Sequence, residues 1–129
     1  MKVDRIDHLV LTVDDIDETL VFYTKVLGMR SEIFGGGRVA LTFGDQKINL
    51  HVSGHEFEPK AENPFPGSAD LCFVTRVPID KAIAHVKKCG VKIIEGPVNR
   101  TGARGNILSF YFRDPSGNLI EVSNEVSLE

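Results

Sequence analysis

The chain repeats itself. Asp7-His8-Leu9-Val10 opens a run of branched residues that ends at Val13, and Asp70-Leu71-Cys72-Phe73-Val74 opens another. His8 stands 62 positions before Asp70, and Gly28 stands 62 positions before Gly90, the two glycines that close the helical patterns following each run. A repeat on this scale means that each half forms the same supersecondary unit, and it predicts that the two units pair as near-equivalents.

In the first unit, Ile6 to Val13 reads as a strand with Leu9, Leu11 and Val13 on one face and Ile6, His8 and Val10 on the other. A helix follows. Asp14 or Asp15 can cap it, Glu18 completes a capping-box spacing from Asp15, Ile16, Leu20, Tyr23 and Leu27 form its apolar stripe, and Gly28 stops it. Strands are predicted at Arg30 to Phe34, Arg38 to Phe43 and Lys47 to Val52, separated by Gly35-Gly36-Gly37 and by a turn at Gly44-Asp45-Gln46. The segment 54–68, with Pro59, Pro64 and Pro66, reads as a connector without regular structure.

The second unit restarts with a strand at Asp70 to Thr75. Pro78 opens a helix whose stripe is Ile79, Ala82, Ile83 and Val86, and strands are expected at Val91 to Glu95, Ile107 to Arg113 and Asn118 to Ser123. The predicted class is α+β: one domain over residues 1–129 built from two βαβββ repeats, about 4–53 and 69–124, forming a curved mixed sheet.

Asp114-Pro115-Ser116-Gly117 fits a type I turn, since proline presets φ at the second position and glycine tolerates the exit. The strand it feeds alternates, so Leu119 and Glu121 point one way and Ile120 and Val122 the other. Phe43-Gly44-Asp45 matches Phe112-Arg113-Asp114. With one residue inserted in the second turn, Leu50-His51-Val52 then falls against Ile120-Glu121-Val122, which makes His51 the expected repeat partner of Glu121.

Composition narrows the function classes. A net charge of -3 lacks the basic excess of a nucleic-acid binder, and no apolar run approaches a membrane span or the layout of a signal peptide. Cys72 and Cys89 have no Cys-x-x-Cys spacing, so both are expected to be buried or half-buried thiols of a cytoplasmic protein. What the strands do offer is a donor set. His8, His51 and Glu121 supply two imidazoles and a carboxylate on strand faces, a combination suited to Fe, Mn, Ni, Co or Zn with coordination positions left for substrate.

The paired units, the opening Asp7-His8-Leu9-Val10 and the closing Asp114-Pro115-Ser116-Gly117-Asn118-Leu119-Ile120-Glu121 resemble the vicinal oxygen chelate superfamily. That superfamily includes glyoxalase I, fosfomycin-resistance proteins, methylmalonyl-CoA epimerases and extradiol dioxygenases. Phe43-Gly44-Asp45-Gln46-Lys47-Ile48-Asn49-Leu50-His51, with Glu95-Gly96-Pro97-Val98 and Thr101-Gly102-Ala103, looks most like the small glyoxalase-domain-containing protein 5 type. The resemblance implies a divalent metal in a cup of curved sheet, with His8, His51 and Glu121 as ligands and Asp70 where many members carry histidine. It also implies a homodimer and a small-molecule substrate chelated through adjacent oxygens.

Three functions follow from the resemblance. The first is a glyoxalase-like lyase or isomerase with Glu121 as both ligand and base. The second is an extradiol ring-cleaving dioxygenase, with His55 as a stand-in acid or base, and the third is a small-molecule binder without turnover. The segment Asn99 to Asn106 is expected to be a flexible Gly-rich loop whose Arg100 and Arg104 bind a carboxylate or phosphate of the substrate. Lys60 and Tyr111 are further neighbours whose face the sequence leaves unassigned.

Overall fold

The structure, a computed structural model, describes residues 1–126. The chain divides into two compact units, one ending at Ser68 and the other beginning at Ala69, which is where the repeat boundary falls.

In the first unit the strand β1 (His8–Val13) leads into α1 (Ile16–Leu27). Asp15 is the N-cap: its Oδ1 accepts from the backbone N–H of Glu18 at 2.8 Å, as the capping-box spacing predicts. Gly28 ends the helix at φ 66, in the left-handed region that a Cβ disfavours. The buried positions of α1 are Thr19, Tyr23 and Val26, a stripe rotated from the predicted one. Thr19 tolerates burial because its hydroxyl donates to the Asp15 carbonyl at 2.6 Å.

The remaining strands are β2 (Arg30–Phe34), β3 (Arg38–Phe43) and β4 (Gln46–Val52), in the sheet order β1-β4-β3-β2. β1 pairs with β4 in parallel, and the other two pairings are antiparallel. The helix side of the sheet buries Leu11, Val13, Leu41, Ile48 and Leu50. Each such aliphatic side chain contributes about 1.5–3 kcal/mol of transfer free energy, so this face anchors the unit.

The second unit repeats the design with β5 (Asp70–Val74), α2 (Ile79–Lys88), β6 (Glu95–Gly102), β7 (Gly105–Arg113) and β8 (Leu119–Glu125) in the order β5-β8-β7-β6. Pro78 is its helix N-cap, and Ile79, Ala82 and Val86 of α2 are buried, as are Phe110, Phe112, Ile120 and Val122 of the sheet. Among the described residues no helix is long and apolar enough to cross a membrane.

One strand departs from the sequence expectation. Residues 91–94 form no strand, and β6 instead covers Glu95–Gly102, so the segment expected as a flexible loop is half of a β6–β7 hairpin with Arg100 inside a strand. Pro97 has no N–H to give to a ladder. It is accommodated because β6 is an edge strand and its register shifts between Glu95 and Val98, where no ladder donor is needed. Gly96 permits the shift: a Cβ there would lie 2.6 Å from the Cβ of Phe110, so no other residue fits.

Candidate functional site

Opposite the helix, each sheet presents a polar face. In the first unit it carries His8, Val10 and Thr12 of β1, which pair with Lys47, Asn49 and His51 of β4. Ala40 of β3 lies beside Asn49. In the second unit Asp70, Cys72 and Val74 of β5 pair with Leu119, Glu121 and Ser123 of β8. Tyr111 and Ser109 of β7 flank Glu121 and Ser123 on the other side.

These registers correct the expected repeat pairing. His8 and Asp70 are equivalent, and their partners are Lys47 and Leu119. Two residues further along each strand, the equivalent of Glu121 is therefore Asn49, and His51 is the equivalent of Ser123. The sequence match was displaced because the Phe-x-Asp pair sets Phe43 against Phe112, two residues out of step: the ladders set Thr42 against Arg113, and after the longer second turn Ile48-Asn49-Leu50 aligns with Ile120-Glu121-Val122.

The register also separates the two histidines. His8 sits opposite Lys47 while His51 sits opposite Thr12, four residues along, or roughly 13 Å at ~3.3 Å per residue. Within either unit, no group of three or more His, Cys, Asp or Glu among the described residues could hold a metal.

The environments of the histidines differ as well. His8 is exposed, and its Nδ1 lies 2.8 Å from Asp7 Oδ1. A carboxylate holding one ring nitrogen is the usual support for a histidine that offers the other to a metal. The same hydrogen bond is the first cause holding the Asp7 carboxyl below its ordinary range. His51 is only 3 % exposed, stacks edge-on against Phe57 at 5.7 Å between centroids, and has its Nε2 3.4 Å from Arg38 Nη2. Burial first, and then the Arg38 guanidinium, push its pKa below the ordinary imidazole value. A guanidinium donating to Nε2 occupies the nitrogen a metal would use. His51 is thus built as a neutral, packed histidine, and the structure gives no support to its place in the expected ligand set.

Asn49 carries a different signal. It is 5 % exposed, and among the described residues its Oδ1 has no hydrogen-bond partner. An orphaned buried oxygen costs about 1–3 kcal/mol, so it marks either a tolerated defect or a place where a ligand completes the shell. His8 and Asn49 form a diagonal neighbour pair across β1 and β4, as Asp70 and Glu121 do across β5 and β8. The first pair offers an imidazole and an amide oxygen and the second pair two carboxylates, donor types that suit a hard or borderline divalent cation.

Around Glu121 the second unit has a cavity of about 430 Å³ lined by Cys72, Arg100, Arg104, Ile107 and Glu121 among others. The expected carboxylate and both expected arginines thus share one cavity. Arg100 donates from Nε to the Tyr111 hydroxyl at 2.9 Å and from Nη2 to Glu95 at 3.3 Å. Arg104, at the hairpin turn and 82 % exposed, pairs with Glu125 at 3.1 Å. Burial raises the Tyr111 phenol above its ordinary pKa, with the Arg100 hydrogen bond opposing it, and Tyr111 is the cross-strand neighbour of Glu121.

Cys72, expected to be buried or half-buried, is exposed on the other flank of Glu121. Its Sγ lies 3.2 Å from Ser123 Oγ, which in turn is 2.6 Å from Ser109 Oγ and weakly placed, at 3.5 Å, to donate to Glu121. Desolvation raises the Cys72 thiol, so it is held protonated rather than poised as a nucleophile. Of the remaining candidates, His55 is exposed and its backbone N–H donates to the Val52 carbonyl, and Lys60 pairs with Glu56 and Glu58.

Comparison with known proteins places this arrangement in a family. Residues 5–122 match the Glyoxalase/Bleomycin resistance protein/Dioxygenase superfamily, and the chain belongs to it. It is 58 % identical over 126 residues to the virulence protein STM3117 of Salmonella typhimurium, covering 98 % of this chain and 88 % of that protein. It is 56 % identical to the glyoxalase domain-containing protein RDO1 of Mycosarcoma maydis, covering 96 % of this chain and 70 % of that one. Among solved structures, an integron cassette protein from the mobile metagenome of V. Cholerae superposes with a TM-score of 0.96 at 63 % identity, covering 98 % of both chains.

Proposed function

We propose that the protein is a glyoxalase-like lyase or isomerase acting on a small, oxygen-rich anionic substrate. The observation that carries this reading is the cavity in which Glu121 lies with Arg100 and Arg104. A carboxylate beside two guanidiniums can take a proton from a carbon acid while the substrate's own carboxylate or phosphate is held by paired N–H donors. Tyr111 adds a second role. Its hydroxyl is fixed by Arg100 and kept protonated, so it can donate to an oxygen on which negative charge develops as Glu121 removes the proton.

Divalent-metal dependence belongs to this reading, and each unit is taken by itself for candidate donors: His8 with Asn49 in the first, Asp70 with Glu121 in the second. A bound metal would supply a Lewis acid for two adjacent substrate oxygens. The expected homodimer also belongs to this reading.

The test has two readouts. Metal content after equilibration with Mn(II), Fe(II), Ni(II) and Zn(II) is expected to fall at least tenfold in His8→Ala and Glu121→Gln. Consumption of the methylglyoxal–glutathione hemithioacetal, as a probe of isomerase chemistry, is expected to be lost in Glu121→Gln. Turnover unchanged in that variant, or no turnover with any metal while catechols drive oxygen uptake, would overturn the assignment.

A further inference from the structure

We propose that the polar face of the first sheet carries a receptor for an oxyanion, a carboxylate or phosphate group, built on Arg38 and Lys47. Neither residue is among the candidate metal donors or the residues lining the cavity around Glu121.

Both cations are held by aromatic rings rather than by acids. The Arg38 guanidinium carbon lies 5.5 Å from the centroid of Phe34 and 4.9 Å from that of Phe57, and Lys47 Nζ lies 3.9 Å from the same Phe34 centroid. Among the described residues neither cation makes an ion pair with a carboxylate. Acids are not scarce nearby. Glu56 and Glu58, in the segment that supplies Phe57, pair with Lys60 at 3.3 and 3.5 Å instead.

Two like charges on one ring repel each other, and cation–π contacts of about 0.5–2 kcal/mol apiece hold them in place without neutralising them. An anion bound to both would remove that repulsion. His51 adds orientation: its buried ring accepts from one Nη of Arg38, which fixes the plane of the guanidinium and leaves its other donors for a ligand. Arg38 thus supplies a fork with the geometry of an oxyanion, and Lys47 a point charge beside it. Were the cations there only to cover Phe34 and Phe57, no anion would be needed.

The experiment uses the full chain, treated with chelator so that metal plays no part. Inorganic phosphate and acetate are titrated separately by calorimetry and by backbone amide shifts. Saturable millimolar binding of at least one is expected, with shifts centred on Arg38, Lys47 and Phe34, and the anion that binds tells phosphate from carboxylate recognition. Arg38→Gln and Lys47→Gln are each expected to weaken it roughly tenfold. Absence of saturable binding by both anions, or binding unaltered in the variants, overturns the proposal. Should Arg38→Gln fail to fold, Lys47→Gln decides alone, because Lys47 meets the Phe34 ring through its side-chain tip.

Discussion

Asn49 holds in the first sheet the rung that Glu121 holds in the second: each lies two residues beyond the partner of the strand-opening His8 or Asp70. The repeat therefore sets an amide oxygen where its twin has a carboxylate. That oxygen is buried and unpaired.

Replacing Asn49 by leucine removes the orphaned group and keeps the branching of the side chain. Because an unsatisfied buried amide is unfavourable and an apolar group of the same branching is not, the metal-free protein is expected to be unchanged or more stable by up to about 2 kcal/mol in urea unfolding. Asn49→Glu tests the opposite consequence. It is expected to tighten divalent-metal binding at least tenfold, since a carboxylate is the stronger donor, while lowering the stability of the metal-free chain.

His51 makes metal-free stability depend on pH. Its folded pKa is lowered, chiefly by burial, so the unfolded chain binds the proton more readily. Stability is therefore full above the unfolded imidazole value of about 6.5 and falls as pH drops below it, toward the folded value. Urea midpoints between pH 8 and 5 should decline, and His51→Phe should flatten this part of the slope. A midpoint that rises on acidification would contradict the neutral, buried assignment.

How much of this was legible in the sequence divides by range. Local chemistry read well: the Asp15 cap, the Gly28 stop and the strands Arg30–Phe34 and Arg38–Phe43 were set by residues within a few positions of each other. Long-range register read poorly. The Phe-x-Asp match at the two turns is two residues out of step with the ladders, so the repeat partner of Glu121 was displaced by two positions. The strand β6 was missed because its edge position and its close approach to Phe110 are tertiary facts. Arg100, Arg104 and Glu121 do share a cavity, but the aromatic walls of Arg38 come from Phe34 and Phe57, far apart in the chain.

The Asp15 cap is a separate test of the first unit. Its carboxylate satisfies a free helix N–H and sits at the positive end of the α1 dipole. Asp15→Ala is expected to cost about 1 kcal/mol, and Asp15→Ser to recover most of that, by equilibrium denaturation.

Asp114 governs how Glu121 is delivered. Although its residue is buried, its carboxylate accepts from the backbone N–H groups of Ser116 and Asn118, both at 2.9 Å, and from Asn118 Nδ2 at 2.8 Å. The same Asn118 amide, through Oδ1, accepts from the backbone of Ala69 at 3.0 Å and so ties the turn to the start of β5. Hydrogen bonds to a charged acceptor contribute about 1.5–3 kcal/mol each, and deleting the acceptor strands buried donors. Asp114→Ala is expected to destabilise the protein by roughly 3–5 kcal/mol, and Asp114→Asn by less, since it keeps one acceptor oxygen. Amide exchange should rise in β8 and β5 before it rises in the first unit. Uniform loss of protection across both units would show instead that they unfold together and that the turn has no local role.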